Sequence, residues 1–377
     1  MMRFTQTSAA LCCVVLLGIL SGCAQLPAVF EYRPSDELKQ PYVWPEAPEI
    51  ARYGFVGQLS GEENFPRPGE ETLNVGVRFL RWLVGLVGHT EAPVILQRPQ
   101  GVITDGQGRV YVSDVSRQAV FVFDRQQAEL KVWEHAAENI RFELPVGMAV
   151  ADGGGLLVAD ASLRLVAHLG HNGEFLGHIG LGQLQHPTGL ARDPVQGRIY
   201  VADRGSNDIK VFTDAGELLF TIGRFGEAEG ELNGPTYLFW HEDRLYVTDT
   251  LNSRIQVFSA EGDYLSGFGR RGLYLGDLPR PKGVAVDQRG TIYVVESYYD
   301  YLLVFNHKGE LLLPLGGSGQ GVGQFYLPAG VWVEDDYVYV ADTFNGRVMI
   351  FEYLGDADGS DVAGDGSSDV DDAAGAE

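Results

Sequence analysis

Six times along this chain a short apolar run ends in an acid, and the spacing hardly varies. The acids are Asp114 (in VSD), Asp160 (VAD), Asp203 (VAD), Asp249 (VTD), Glu296 (VVE) and Asp342 (VAD), with gaps of 46, 43, 46, 47 and 46 residues. A tyrosine precedes the acid by three positions in five copies, and Leu157 replaces it in the second. In parallel, Pro-x-Gly opens a strand at Gly101, Gly147, Gly189, Gly283 and Gly330, and Tyr237 fills that glycine slot once. A period of roughly 40–50 residues built from short strands predicts a ring or stack of small sheets. Each repeat reads as four strands; from Pro235 they are YLFW, RLYVTD, RIQVFS and YLSGFG, separated by Gly-, Asn- and Asp-rich turns. Glycine suits the start of the inner strand because six such strands converge where a side chain would crowd its neighbours. The strand-ending acid is expected to accept backbone N–H bonds in the next turn. In two copies it precedes an arginine by five residues (Asp249/Arg254, Asp342/Arg347), which predicts a charge-assisted structural brace.

The segments DTLNSRIQVF and DTFNGRVMIF, with the upstream LPAGVWVEDDYVYVADT, resemble NHL repeats, and the resemblance spans residues 97–354. It implies an all-β, six-bladed β-propeller of NHL type. Other copies depart from the pattern: DVSRQAVFVF and ADASLRLV misplace the arginine, VESYYDYLLV lacks it, and DRGSNDIKVF keeps Asn207 but puts Asp208 in its slot. The sixth repeat stops after three strands, near Leu354. The orphan segment RYGFVGQL, within residues 52–60, is expected to supply the missing strand and close the ring, since an open propeller exposes two sheet edges.

Residues 1–22 have a basic start at Arg3, an apolar core and the box Leu20-Ser21-Gly22 before Cys23. This order predicts a bacterial lipoprotein signal peptide, with Cys23 lipidated and the chain held at the cell envelope through that membrane anchor. By resemblance, Ala24 after the cysteine implies the outer membrane. Residues 23–51 read as a Pro-rich tether, and residues 61–96 as an insertion with an amphipathic helix at Val75–His89. Residues 355–377 read as a disordered acidic tail. The only other cysteines, Cys12 and Cys13, lie in the leader, so no disulfide or reactive thiol is expected after cleavage. A net charge of −23 over 377 residues argues against nucleic acid as a partner. A monomeric domain is expected.

No Ser–His–acid, phosphate-loop or HExxH pattern occurs, and no catalytic residue is assigned. Propellers of this kind include zinc-dependent amidating lyases and metal-dependent lactonases. The resemblance therefore implies an alternative: a metal-dependent lyase or hydrolase with zinc or calcium in the central channel. The residues before each inner-strand proline are Arg98, Leu144, His186, Gly234, Arg280 and Leu327, with one histidine where a zinc site wants several. Asp105, Asp193, Asp287 and Glu334 end four inner strands and lead turns, so turn-capping is expected there rather than a calcium ring. Strand direction divides the charge between two faces. Arg98, Arg117, Arg164, Arg204, Arg224, Arg270, Arg271, Arg280 and Lys282 gather on one, joined by Tyr298 and Tyr299 from the divergent fifth repeat. The expected function is a binding or assembly scaffold whose cationic, tyrosine-bearing face takes an envelope protein or an acidic glycan or polymer. The candidate ligand-binding residues are Arg98, His186, Arg280, Lys282, Tyr298 and Tyr299.

Overall fold

The computed structural model describes residues 28–32, 41–66 and 93–355. It is an all-β, six-bladed propeller. Five blades are four-stranded antiparallel sheets, and the sixth carries a fifth strand. In blade four the strands run Pro235–His241, Arg244–Asp249, Arg254–Ser259 and Tyr264–Phe268, in that order from the channel outward. Pro235 pairs with Asp249, and Asp249 with Arg254. This register brings the start of the inner strand, the acid and the start of the third strand to one end of the blade, called here the upper face.

The middle strands have no solvent side. Arg109–Asp114 and Ala119–Asp124 are buried at every position because each blade is packed on both flanks by its neighbours. Outer strands such as Leu218–Ile222 are largely exposed. The repeat tyrosines Tyr111, Tyr200, Tyr293 and Tyr339 are fully enclosed, each such ring worth roughly 1.5–3 kcal/mol of burial. Hydroxyls then clasp blade to blade: Thr250 Oγ1 donates to the Pro281 carbonyl at 2.9 Å, Thr188 to Pro235 at 3.1 Å and Ser113 to Val146 at 2.6 Å.

The inner glycines are set by close approach. A Cβ on Gly147 would lie 2.1 Å from the Thr188 carbonyl oxygen, and one on Gly330 would lie 2.6 Å from that of Gln100. Each inner strand touches the backbone of the next, so no side chain fits. The exception, Tyr237, turns its side chain across the channel and donates its hydroxyl to the Gln100 carbonyl of blade one, on the opposite side of the ring. Two residues further along the inner strands, Phe239 of blade four meets Trp332 of blade six edge-to-face, with centroids 5.3 Å apart. Trp332 Nε1 donates to Thr104 Oγ1 of blade one at 2.8 Å.

Blade six closes as expected. Tyr53–Leu59 pairs antiparallel with Arg347–Tyr353, from Tyr53 opposite Tyr353 to Leu59 opposite Val348. Thr343 Oγ1 donates to the Pro99 carbonyl at 2.8 Å and joins the last blade to the first. Part of the segment expected to be a tether is docked instead. Val43–Trp44 adds a strand outside Tyr53–Leu59, and Trp44 packs edge-on against Phe351, because these apolar side chains find an uncovered sheet edge. Phe30 and Tyr32 likewise pack on Phe65 and blade one. Cys23, the helix expected at 75–89 and the acidic tail lie outside the described residues. Among the described residues no helix is long and apolar enough to cross a membrane.

Candidate functional site

The strand-ending acids shape the upper face. Asp114, Asp160, Asp203 and Glu296 accept backbone N–H bonds from their own turn, as expected, whereas Asp249 and Asp342 accept the side-chain amides of Asn252 and Asn345 there. Each of the six also accepts backbone N–H bonds from the segment 16–18 residues earlier that leads into the inner strand of the same blade. Asp203 receives His186 N at 2.8 Å and Gln185 N at 2.8 Å, besides Gly205 N at 3.1 Å. Glu296 receives Arg280 N at 2.9 Å, Tyr298 N at 3.1 Å and Tyr299 N at 2.8 Å. The backbone positions of His186, Arg280, Tyr298 and Tyr299 are therefore fixed by buried carboxylates.

Several arginines are consumed in this framework. Arg254 Nε meets Asp249 at 2.8 Å and Arg347 Nε meets Asp342 at 2.9 Å, the braces that the repeat spacing predicts. In blade three, where Asp208 occupies the arginine slot, Lys210 supplies the charge instead. It reaches Asp203 at 3.1 Å and Asp208 at 2.7 Å. Arg224 pairs with Glu231 at 2.9 Å and Arg270 with Asp277 at 2.8 Å, so these two leave the expected basic surface. Glu231 and Asp277 close the loops that carry those arginines.

Four of the remaining cations converge at the upper mouth of the channel. Arg204, Arg271, Arg280 and Lys282 line one cavity of about 650 Å³ together with Thr236, Thr250, Leu251, Leu273, Pro279 and Tyr298. Lys282 is the middle residue of Pro-x-Gly in blade five, so its chain rises from the inner strand itself. Arg271 is partly occupied, donating to Ser253 Oγ at 3.3 Å and to the Leu251 carbonyl at 3.1 Å. Arg204, Arg280 and Lys282 form no ion pair with a carboxylate among the described residues. Burial, with the guanidiniums of Arg280 and Arg204 nearby, lowers the Lys282 pKa to about 8. Three cations held together without counter-charge make a standing attraction for an anion, weakened by solvent at the exposed Arg204 and Arg280.

Three of the six expected ligand residues are not in this cavity. Tyr299 packs edge-on behind Tyr298, with centroids 4.8 Å apart, and faces a neighbouring groove. Arg98 lies over the Phe344 ring at 5.0 Å, on the side of blades six and one. His186 is half-buried beside Arg204 and Arg164 and bonded to the Ala161 backbone; desolvation and those two charges lower its pKa. Sequence reasoning placed Arg204 on this face without singling it out. Nothing in the chain marks Leu251 and Leu273, which complete the cavity from two loops.

Zinc or calcium needs donors that the upper part of the channel does not offer among the described residues. The inner-strand x positions are Gln100, Val146, Thr188, Thr236, Lys282 and Ala329: one ammonium, no carboxylate and no imidazole. Among the described residues no group of three His, Cys, Asp or Glu is placed to hold a metal. The inner-strand acids hold turns: Asp105 accepts Gln107 N at 2.8 Å and Asp193 accepts Val195 N at 2.8 Å. This donor set does not fit a divalent cation.

Fold and site together define a propeller with a basic, apolar-walled cup at one mouth of its channel. The chain belongs to the SMP-30/gluconolactonase/LRE-like family, whose region matches residues 98–314. Among solved structures it is similar to a streptogramin B lyase, at 14% identity and a TM-score of 0.53 over 68% of this chain and 94% of that one. A gluconolactonase from Xanthomonas campestris shares 16% identity with a TM-score of 0.53, over 87% of this chain and 98% of that one. An auxiliary nutrient binding protein from Bacteroides ovatus shares 16% identity with a TM-score of 0.53, over 68% and 69%. At these identities the likeness shows the fold alone. No curated protein matches the chain.

Proposed function

We propose that this propeller is a binding module of the cell envelope whose upper cup captures an acidic ligand, either a carboxylate-bearing polymer or an acidic patch on a partner protein. The observation that carries this reading is the convergence of Arg204, Arg280 and Lys282 on one cavity without a carboxylate among the described residues to neutralise them. On a chain of net charge −23 such a spot is a local reversal of sign, which steers anions to one place. The name of the Bacteroides ovatus neighbour records a binding role on this fold, while the names of other neighbours record lyase and lactonase activity. A metal-dependent enzyme of the channel would need carboxylates or imidazoles where this chain has Thr236 and Lys282.

Arg204 and Arg280 are exposed, so reversing them should leave the fold intact. Polyuronate is expected to raise the melting temperature of the chain at low salt and less so at high salt. Arg204→Glu with Arg280→Glu should weaken binding by about tenfold or more. Equal binding by the double variant would sink the reading. The anchor belongs to the same proposal: Cys23→Ala is expected to move the chain from the membrane fraction to the soluble one, and retention on the membrane would refute it.

A further inference from the structure

Lys282 and Lys210 are both half-buried, and the chain treats them oppositely. Lys210 is given two carboxylates, Asp203 and Asp208. Lys282 is given none among the described residues and stands with two guanidiniums at the floor of a cavity whose walls are Leu251, Leu273, Pro279 and Tyr298. A lysine desolvated against apolar walls and next to other cations is the arrangement that frees an amine for attack on a carbonyl.

We infer that the cup takes a small oxo acid, a carboxylate next to an aldehyde or ketone, and that Lys282 binds it as a reversible imine. This rests on the anion reading of the same cavity and gives it a small carboxylate ligand in place of a polymer or a protein patch. Arg204 and Arg280 hold the carboxylate, and the carbonyl carbon lies over the lysine amine. The neutral amine attacks that carbon, and a C–N bond forms. The carbonyl C–O bond then breaks, and the oxygen leaves as water with the two hydrogens of the amine. No oxidant or reductant is consumed. The apolar walls accept a short hydrocarbon remainder of the ligand. The lowered pKa of Lys282 supports the geometry: at mildly alkaline pH it carries on the order of a hundredfold more free amine than an exposed lysine.

The chain contains five lysines, Lys39, Lys131, Lys210, Lys282 and Lys308, which makes the test internal. The chain would be treated with glyoxylate and cyanoborohydride, which reduces an imine to a stable carboxymethyl-lysine, and the sites mapped by peptide mass spectrometry. Lys282 is expected to be modified about tenfold faster than exposed Lys308, with paired Lys210 unmodified. Glycolate, which has the carboxylate but no carbonyl, should compete. Modification of Lys308 as fast as Lys282 would overturn the imine. If glycolate still stabilises the chain and loses that effect in the Arg204→Glu, Arg280→Glu variant, the anion reading survives that failure. If glycolate gives no stabilisation and Lys282 no preference, both fall.

Discussion

Blades four and five each end the second strand in an acid, Asp249 and Glu296, and use it differently. In blade four, Asp249 is surrounded by donors: Arg254 at 2.8 Å, Asn252 at 2.8 Å, Gln256 at 3.1 Å and the backbone of Asn233 at 2.7 Å. In blade five, Glu296 accepts backbone N–H bonds from Arg280, Tyr298 and Tyr299, and burial raises its pKa. Where the repeat keeps its arginine, the charge is spent inside the fold. Where it drops it, the turn becomes Ser297-Tyr298-Tyr299, and the nearby cations Arg280 and Lys282 face outward into the cup. Loss of a structural ion pair thus coincides with cations that line a cavity, which is how one repeat in a ring becomes different from its neighbours.

The comparison can be broken most directly at Asp249. Asp249→Asn leaves the Arg254 charge without its buried partner and should cost about 3–5 kcal/mol in urea unfolding. A loss below about 1 kcal/mol would show that blade four does not depend on the brace. Lys282→Met should act in the opposite direction, stabilising the fold by about 1–3 kcal/mol at neutral pH because it removes a half-buried ammonium with no carboxylate partner among the described residues. The pH dependence has a definite sign. The folded pKa of Lys282, about 8, lies below that of an unfolded lysine, so the unfolded chain holds more protons between about 8 and 10. Stability of the parent protein therefore rises across that window relative to Lys282→Met, and the advantage of the variant shrinks. A constant difference would show that Lys282 is not desolvated. Glu296→Gln should change stability least, by about 1 kcal/mol or less, since its raised pKa means that the charge is a cost at neutral pH and no cation is orphaned. A loss equal to that of Asp249→Asn would erase the contrast between the blades.

Much of this was legible in the chain because repetition amplifies weak signals. Pro-x-Gly, read five times, and the strand-ending acid, read six times, place each inner strand and its upper end. The orphan Arg52–Leu59 could be assigned to blade six by counting strands. The braces at Arg254 and Arg347 followed from a five-residue spacing. The brace from Lys210 did not, because in an extended strand a residue two positions on returns to the same face and can answer for a missing neighbour. Lys282 could be placed in the channel from its slot between Pro281 and Gly283. Its proximity to Arg204 could not, since the two lie in blades three and five and meet only across the mouth of the ring. Nor does composition reveal which arginines are spent: Arg224 and Arg280 look alike until Glu231 is seen beside one of them.

The tyrosine that replaces a glycine in blade four has a consequence for traffic. With Tyr237 bridging to Gln100 and the Phe239–Trp332 contact one layer beneath it, the axis of the ring is a cul-de-sac rather than a passage. A molecule that enters the cup must leave through the same opening, and a polymer can present an end or a side group but cannot be threaded. Arrival and departure share one doorway, so whatever docks over that doorway governs both.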